Sequence, residues 1–256
     1  MNYITFTTSG SLQLCKNFII SLKKLNMEES ITVYCLDQES LSEISKFKCK
    51  TKFFDIDGVR EGFHNYGERD FRRVTEAKVQ IILNELQDKE SLVYTDCDVV
   101  FKEDPTGFIE FSNAQTPKFP AETPAPEIIF ASDDPFMPIC TGFMHIRNTE
   151  NVHKLFKKYF ERSKWYGKME SKCMYDQEII HEILTKDQTF MWDTKFTYGI
   201  YPTEFVKNGH LYWNEAETRT GKEVVVHVNF TIGEESKINR LKDADLWYIE
   251  EEVSSL

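Results

Sequence analysis

Glycine and proline are scarce in this sequence, and long apolar runs are missing. The 256 residues contain 11 glycines and 8 prolines, which excludes collagen-like chains and argues against a disordered one. No stretch approaches the roughly 20 apolar residues that span a bilayer, and residues 1–14 lack the basic and apolar regions of a secretory leader. We therefore expect no membrane span and a cytoplasmic location, in the host cytoplasm if the protein is viral.

Basic residues are also fewer than acidic residues. Lysine and arginine number 31 against 42 acidic residues, so the net charge is −11. A chain this acidic is not expected to bind nucleic acid or anionic lipid over a large surface. The six cysteines are scattered without a CxxC pair, a distribution typical of reduced thiols and not of a disulfide framework.

Apolar strand and helix patterns alternate over the first hundred residues. The helical patterns include one from Phe71 to Leu86, with apolar residues three and four positions apart. The predicted strands are Tyr3–Phe6, Ile31–Leu36, Lys52–Ile56 and Ser91–Tyr94. This alternation predicts βαβ units, a mainly parallel sheet and a ligand site at the carboxyl ends of its strands. We predict a single α/β domain over residues 1–256.

Two aspartates follow the predicted strand Ser91–Tyr94 in alternate positions. Asp96 and Asp98 can lean to one side of the strand, while Cys97 points away. Two neighbouring carboxylates repel each other unless a cation lies between them, and the divalent ions Mn²⁺ and Mg²⁺ take oxygen ligands and bridge to phosphate. The simpler interpretation is a surface turn, where aspartate is common.

Two enzyme classes use an acidic pair of this kind. In a haloacid dehalogenase-like phosphatase, Asp96 would be the nucleophile and Asp98 the acid/base, with Asp133 and Asp134 as later acidic ligands. In a metal-dependent nucleotide-sugar transferase, the pair would hold the cation that binds the diphosphate. The phosphatase motif normally lies on the first strand of its sheet. Here a βαβαβ half precedes it, which favours the transferase.

Four ordered motifs resemble those of the GT-A glycosyltransferases, the nucleotide-diphospho-sugar transferase group that includes plant cell-wall xylosyltransferases and, more distantly, glycogenin. The motifs are Thr75–Lys78, Tyr94–Phe101 with Asp104-Pro105, Cys140–Thr149 followed by Asp176-Gln177, and His227–Asn229 with Gly233 and Lys237. The resemblance implies a Rossmann-like GT-A fold. Residues 1–105 would form its nucleotide-binding half, and residues 106–256 its donor-sugar and acceptor half.

The resemblance also implies roles for individual residues. The metal ligands would be Asp96, Asp98 and His227. Asp176 and Gln177 would lie under the transferred sugar, and Asp134 is a candidate base if the reaction inverts configuration. The positions assigned to the donor and its cation are Thr7, Thr8, Asp37, Lys78, Asp96, Cys97, Gly142, Gly233 and Lys237.

Four of these residues also have a plain structural interpretation. Lys78 can be a solvated helix residue, Asp176 a helix-capping residue, Gly142 part of a turn, and His227 a core histidine. Gly233 lies six residues after His227, further than in the glycogenin-like His-x-x-Gly-x-x-Lys pattern, so the phosphate contacts of this loop stay open.

The predicted function is transfer of a sugar from a nucleoside diphosphate donor to a hydroxyl of a glycan or protein acceptor. UDP is the favoured nucleotide, Mn²⁺ or Mg²⁺ the expected cofactor, and retention the favoured stereochemistry. A dehalogenase-like phosphatase and a non-catalytic sugar-binding protein are the alternatives. Aromatic residues that could stack on a glycan, or equally belong to the core, are Trp165, Trp192, Tyr212 and Trp213.

Overall fold

A computed structural model describes residues 1–56, 69–114, 125–133, 137–169 and 174–250. It is a mixed α/β protein in which seven of the ten described strands belong to a mainly parallel sheet flanked by helices. The strands are β1 Tyr3–Thr7, β2 Ile31–Cys35, β3 Lys50–Phe53, β4 Ser91–Thr95, β5 Val99–Phe101, β6 Ile128–Ser132, β7 Ile139–Arg147, β8 Tyr198–Ile200, β9 Val206–Lys207 and β10 Val225–His227.

Eight α-helices accompany these strands in the described ranges. They are α1 Leu12–Lys24, α2 Gln38–Ile44, α3 Arg69–Leu86, α4 Thr106–Ala114, α5 Glu150–Tyr166, α6 Asp176–Lys186, α7 Gln188–Thr194 and α8 Glu234–Asp243. A short π-helix covers His210–Asn214. Among the helices that the structure describes, none is long and apolar enough to cross a bilayer.

The first of two compact units comprises Met1–Tyr66, Thr95–Pro105 and Pro202–Leu256. Its strands β3, β2 and β1 are adjacent in that order and parallel, as βαβ units require. A second, three-stranded sheet pairs β10 antiparallel with β5 and parallel with β9. A core cluster between this sheet and helices α1 and α8 is built from Leu14, Val100, Tyr212, Val226, Val228, Leu241 and Leu246.

The second unit comprises Gly67–Tyr94 and Thr106–Tyr201. Its strand order is β4-β7-β6-β8, with β6 antiparallel to β7 and parallel to β8. The predicted apolar face of α3 is confirmed, because the residues at helical spacing from Val74 to Leu86 are buried. Helix α5 begins where the Thr149 hydroxyl accepts a hydrogen bond from the backbone N–H of Val152.

Strand β7 carries a buried histidine, His145, whose stability effect can be measured. Burial lowers the pKa of His145 to about 4, assisted by the charge of Arg147, whereas an unfolded histidine has a pKa near 6.5. The unfolded chain therefore takes up this proton at a higher pH than the folded one. Protonation favours unfolding as the pH falls from about 6.5 to about 4, by roughly 3 kcal/mol in total.

We expect the free energy of unfolding to fall less steeply with pH in His145→Gln than in the parent protein over this range. Urea titrations at pH 7, 6 and 5 measure the difference. Parallel pH profiles for the two proteins would show that the imidazole is charged in the folded state or accessible to water.

Candidate functional site

The acidic pair lies at the end of β4 in the predicted position, and the structure brings a histidine to it. Asp98 is buried and Asp96 is half-buried. His227 Nε2 lies 3.1 Å from Asp98 Oδ1 and 3.9 Å from Asp96 Oδ2. The antiparallel pairing of β10 with β5 causes this approach, because it places His227 opposite Val99. The three residues predicted as metal ligands therefore form one cluster.

Lys237, at the first turn of α8, completes the charge balance of this cluster. Its ammonium donates a hydrogen bond to Asp98 Oδ2 at 2.5 Å. Burial alone would raise the pKa of Asp98, but the charges of Lys237 and His227 outweigh it and hold that pKa well below its usual range. Burial would likewise lower the pKa of Lys237, and the Asp98 carboxylate raises it instead. Asp98 is therefore a carboxylate at neutral pH.

The donor atoms of this cluster fit a divalent cation. One ligand atom from each of Asp96, Asp98 and His227 lies within 4.8 Å of the other two. Two carboxylate oxygens and an imidazole nitrogen suit Mn²⁺, and the carboxylates alone suit Mg²⁺. Three ligands on one side of an ion leave its other positions open for phosphate oxygens or water.

A second polar cluster lies in the other unit, around a buried ion pair. Lys78 Nζ lies 2.8 Å from Asp176 Oδ2, and both side chains are only 5% exposed. The hydroxyl of Thr141 donates a hydrogen bond to the same carboxylate oxygen at 2.7 Å. Lys78 also lies over the ring of Tyr94, 5.0 Å from its centroid. Lys78 is therefore not a solvated helix residue, because its ammonium is paired with a buried protein carboxylate. Its contact with the donor stays a prediction.

Gln177 follows Asp176 and has its amide fixed at both ends. Its Oε1 accepts a hydrogen bond from the backbone N–H of Thr141 at 3.2 Å, and its Nε2 donates one to Asp133 Oδ2 at 2.7 Å. Gln177 is partly exposed while Asp176 is buried. Of this predicted catalytic pair, Gln177 is the residue whose side chain is partly accessible to solvent.

The residues predicted near the nucleoside are occupied by local contacts. Asp37 caps α2, its oxygens accepting hydrogen bonds from the backbone N–H groups of Ser40 at 2.8 Å and Ser9 at 2.6 Å. The Thr7 hydroxyl is buried, donates to Thr8 O and lies 3.0 Å from Ser11 Oγ. Thr8 is buried beside them. These contacts shape the loop after β1, and a nucleoside role for Thr7, Thr8 and Asp37 stays a prediction.

Three further positions were predicted to contact the donor or its cation, and they differ in burial and backbone conformation. Cys97 is half-buried between the two aspartates, and burial together with the charge of Asp98 raises the pKa of its thiol to about 12, so it is a thiol at neutral pH. Gly142 is buried within β7. Gly233 precedes α8 with φ of +89°, a conformation that favours glycine. Asp134, the candidate base, lies outside the described residues.

The sequence did not reveal one contact of these clusters, and it did not reveal one exposed aromatic side chain elsewhere. Asp133 was considered only as a ligand in a phosphatase, although it holds the amide of Gln177. Of the four aromatic residues suggested for glycan stacking, Trp165 and Trp192 are exposed, Trp213 is partly buried and Tyr212 is buried. Phe230, which is 45% exposed, was not considered. An aromatic residue between a strand and a glycine in the sequence signals neither burial nor exposure.

The amino-acid sequence of this chain is similar to those of nucleotide-sugar transferases. The sequence model of the nucleotide-diphospho-sugar transferase family matches residues 26–241. A UDP-D-xylose:L-fucose α-1,3-D-xylosyltransferase of Arabidopsis thaliana is 24% identical over 256 residues. A UDP-galactose:fucoside α-3-galactosyltransferase of Dictyostelium discoideum is 23% identical over 282 residues. The alignments cover 94% and 95% of this chain, but only 64% and 42% of those two relatives.

Among solved structures, the galactosyltransferase LgtC in complex with donor and acceptor sugar analogues superposes with a TM-score of 0.57. The match covers 90% of this chain and 87% of LgtC at 11% sequence identity. At 11% identity this match shows the fold alone, and it confirms the predicted GT-A fold.

Proposed function

Because the chain belongs to the nucleotide-diphospho-sugar transferase family, we propose that it transfers a sugar from a UDP-linked donor to a hydroxyl group of a glycan, with a divalent cation and with retention of configuration. Family membership decides against the phosphatase alternative. The whole chain would act as one transferase domain. The observation that carries it is the convergence of Asp96, Asp98 and His227 at the end of a buried strand.

The metal cluster would bind the diphosphate of the donor. Asp96, Asp98 and His227 would hold Mn²⁺ or Mg²⁺, which when bound supplies Lewis-acid stabilisation to the departing diphosphate. Lys237 adds a positive charge at the same place, since its ammonium already contacts Asp98. Gly233, at the N-terminus of α8, would let the backbone approach a phosphate oxygen.

The amide of Gln177 would face the anomeric carbon of the transferred sugar. An amide cannot accept a proton as a base, but its carbonyl oxygen can stabilise the oxocarbenium-like charge that develops at that carbon. This chemistry supports retention, in which the proton of the acceptor hydroxyl passes to the departing diphosphate oxygen. Asp176 would position Gln177 through Thr141, which contacts both side chains.

The names of the relatives suggest which substrates to test first. The plant protein is named for UDP-xylose and L-fucose, and the slime-mould protein for UDP-galactose and a fucoside. We propose a fucose-terminated glycan as the acceptor of this chain and UDP-xylose or UDP-galactose as its donor. UDP-glucose remains a third donor to compare.

Thermal unfolding tests the proposal directly. Mn²⁺ and UDP together are expected to raise the melting temperature by more than the sum of their separate effects, because the ion and the diphosphate share one site; saturation at about 100 times Kd corresponds to about 2.7 kcal/mol. The three UDP-sugars are then compared by thermal shift and by hydrolysis.

Two outcomes would contradict this assignment. Equal stabilisation by inorganic phosphate without nucleotide would point to a general phosphate site. Synergistic binding of Mn²⁺ and UDP without turnover of any nucleotide sugar, with or without methyl α-L-fucoside, would favour the non-catalytic sugar-binding alternative.

A further inference from the structure

The loop between β10 and α8 carries exposed apolar side chains in an unfavourable backbone conformation. Phe230 is 45% exposed and Ile232 is 72% exposed. Phe230 has φ of +55°, in the left-handed region, where a bulky residue is an outlier. Glycine or asparagine would hold this conformation at lower cost. Such strain persists where its surroundings enforce it, and it concentrates at binding sites.

A close backbone contact holds the loop in this conformation. The N–H of Gly209 donates a hydrogen bond to Asn229 Oδ1 at 2.6 Å. A Cβ atom at Gly209 would lie 2.0 Å from the carbonyl oxygen of Asn229, so only glycine fits there. Gly209 immediately precedes the π-helix His210–Asn214. Turns of π-helix are rare in proteins, and those that occur are often found at functional sites. The π-helix and the loop therefore form one surface.

This surface combines an aromatic face with polar side chains. The rings of Phe230 and His210 lie 5.7 Å apart at an angle of 53°. Both imidazole nitrogens have side-chain partners, with Nε2 3.1 Å from Glu215 Oε1 and Nδ1 3.1 Å from Asn214 Nδ2. We call Phe230, His210, Asn214, Glu215 and Ile232 the Phe230 platform.

The composition of the Phe230 platform matches the two sides of a pyranose ring. The C–H face of a sugar packs on an aromatic ring, and the methyl group of a 6-deoxy sugar adds apolar surface that Ile232 can contact. Sugar hydroxyls both donate and accept hydrogen bonds, and the amide of Asn214 and the carboxylate of Glu215 supply complementary groups at the border of the rings.

The position of the platform links it to the candidate metal centre. Phe230 follows His227 by three residues, so their Cα atoms are at most about 11 Å apart. The platform therefore begins within three residues of a predicted ligand of the ion that would hold the donor diphosphate. We propose that the Phe230 platform binds the terminal sugar of the acceptor glycan by stacking. This inference rests on the proposed transferase function and assigns its acceptor subsite.

Substitution of Phe230 tests the platform without threatening the fold. Phe230→Gly removes the ring and relieves the positive φ, so its melting temperature should equal or exceed that of the parent protein. Its KM for methyl α-L-fucoside should rise about tenfold or more, while its KM for the UDP-sugar changes less than twofold. Phe230→Trp should keep the acceptor KM near the parent value. Phe53→Ala is the matched control, because Phe53 is 43% exposed and lies in β3.

A binding measurement separates this inference from the transferase proposal. Ligand-observed NMR is expected to show saturation transfer from the parent protein to methyl α-L-fucoside, and a loss of that signal in Phe230→Gly but not in Phe53→Ala, even if no turnover occurs. An acceptor KM within twofold of the parent value in Phe230→Gly would overturn the inference. Equal loss of the NMR signal in Phe230→Gly and Phe53→Ala would also overturn it, as would no signal from the parent protein.

Discussion

Replacement of Asp98 by asparagine is expected to abolish sugar transfer. Asp98 contacts His227 at 3.1 Å and Lys237 at 2.5 Å, so its charge positions two other polar side chains of the cluster. Asparagine keeps the size of the side chain but removes one of the two carboxylates that attract a divalent ion. Loss of groups that merely support metal ligands typically reduces activity 10- to 100-fold. We therefore expect kcat/KM to fall by more than about a hundredfold.

The same variant should lose the combined effect of Mn²⁺ and UDP on the melting temperature. Asp243→Asn is the matched control, because Asp243 is an exposed aspartate at the end of α8 and its loss should change neither measurement. Transfer by Asp98→Asn within a few-fold of the parent rate would show that the ion is held elsewhere.

His227→Ala separates a metal ligand from a core histidine in the same assays. A ligand role predicts a large loss of Mn²⁺-UDP binding with a small change in the stability of the free protein. The opposite pattern, a large loss of stability with donor binding intact in the folded fraction, would assign His227 to the core.

Among the substitutions proposed for this protein, Lys78→Met is expected to lower the free energy of unfolding most. Lys78 and Asp176 are both nearly inaccessible to water and lie 2.8 Å apart. Removing one partner leaves the other as an uncompensated buried charge, which typically costs 3–5 kcal/mol. The free energy of unfolding of Lys78→Met, measured by urea titration, should fall by about that amount. Lys154→Met is the matched control, because the Lys154–Glu150 pair of α5 is exposed and such pairs contribute about 0–1 kcal/mol.

The double variant Lys78→Met/Asp176→Asn should recover most of this stability. Asparagine at position 176 removes the buried charge and can still accept the hydrogen bond from Thr141. These measurements also decide the role of Lys78. If Lys78 mainly contacts the donor, its replacement will raise the donor KM and leave the unfolding free energy unchanged. A stability loss that Asp176→Asn repairs supports the ion pair seen in the structure.

Much of the fold follows from local sequence patterns. Val74, Ala77 and Ile81 are spaced to share one face of a helix, and they are buried on α3. The predicted third strand, Lys52–Ile56, is found two to three residues earlier as β3 Lys50–Phe53. Two helices, α4 and α7, and the short strands β5, β8 and β9 were not predicted. Segments of two to nine residues hold too few turns or alternations to show a period, and their conformation depends on the neighbours they pair with.

The sequence by itself determined the αβ alternation, the acidic pair at the end of a buried strand and the order of the family motifs, because each of these is a local pattern of residues. Only the tertiary structure decided which distant groups meet. His227 reaches Asp98 across 129 residues because β10 pairs with β5 in a register that sets His227 opposite Val99. Lys78 points at Asp176 because the buried carboxylate of Asp176 could not remain unpaired. Lys78 and Thr141 both contact that carboxylate. Strand register and the pairing of buried charges depend on the whole packed chain, and no local pattern encodes them.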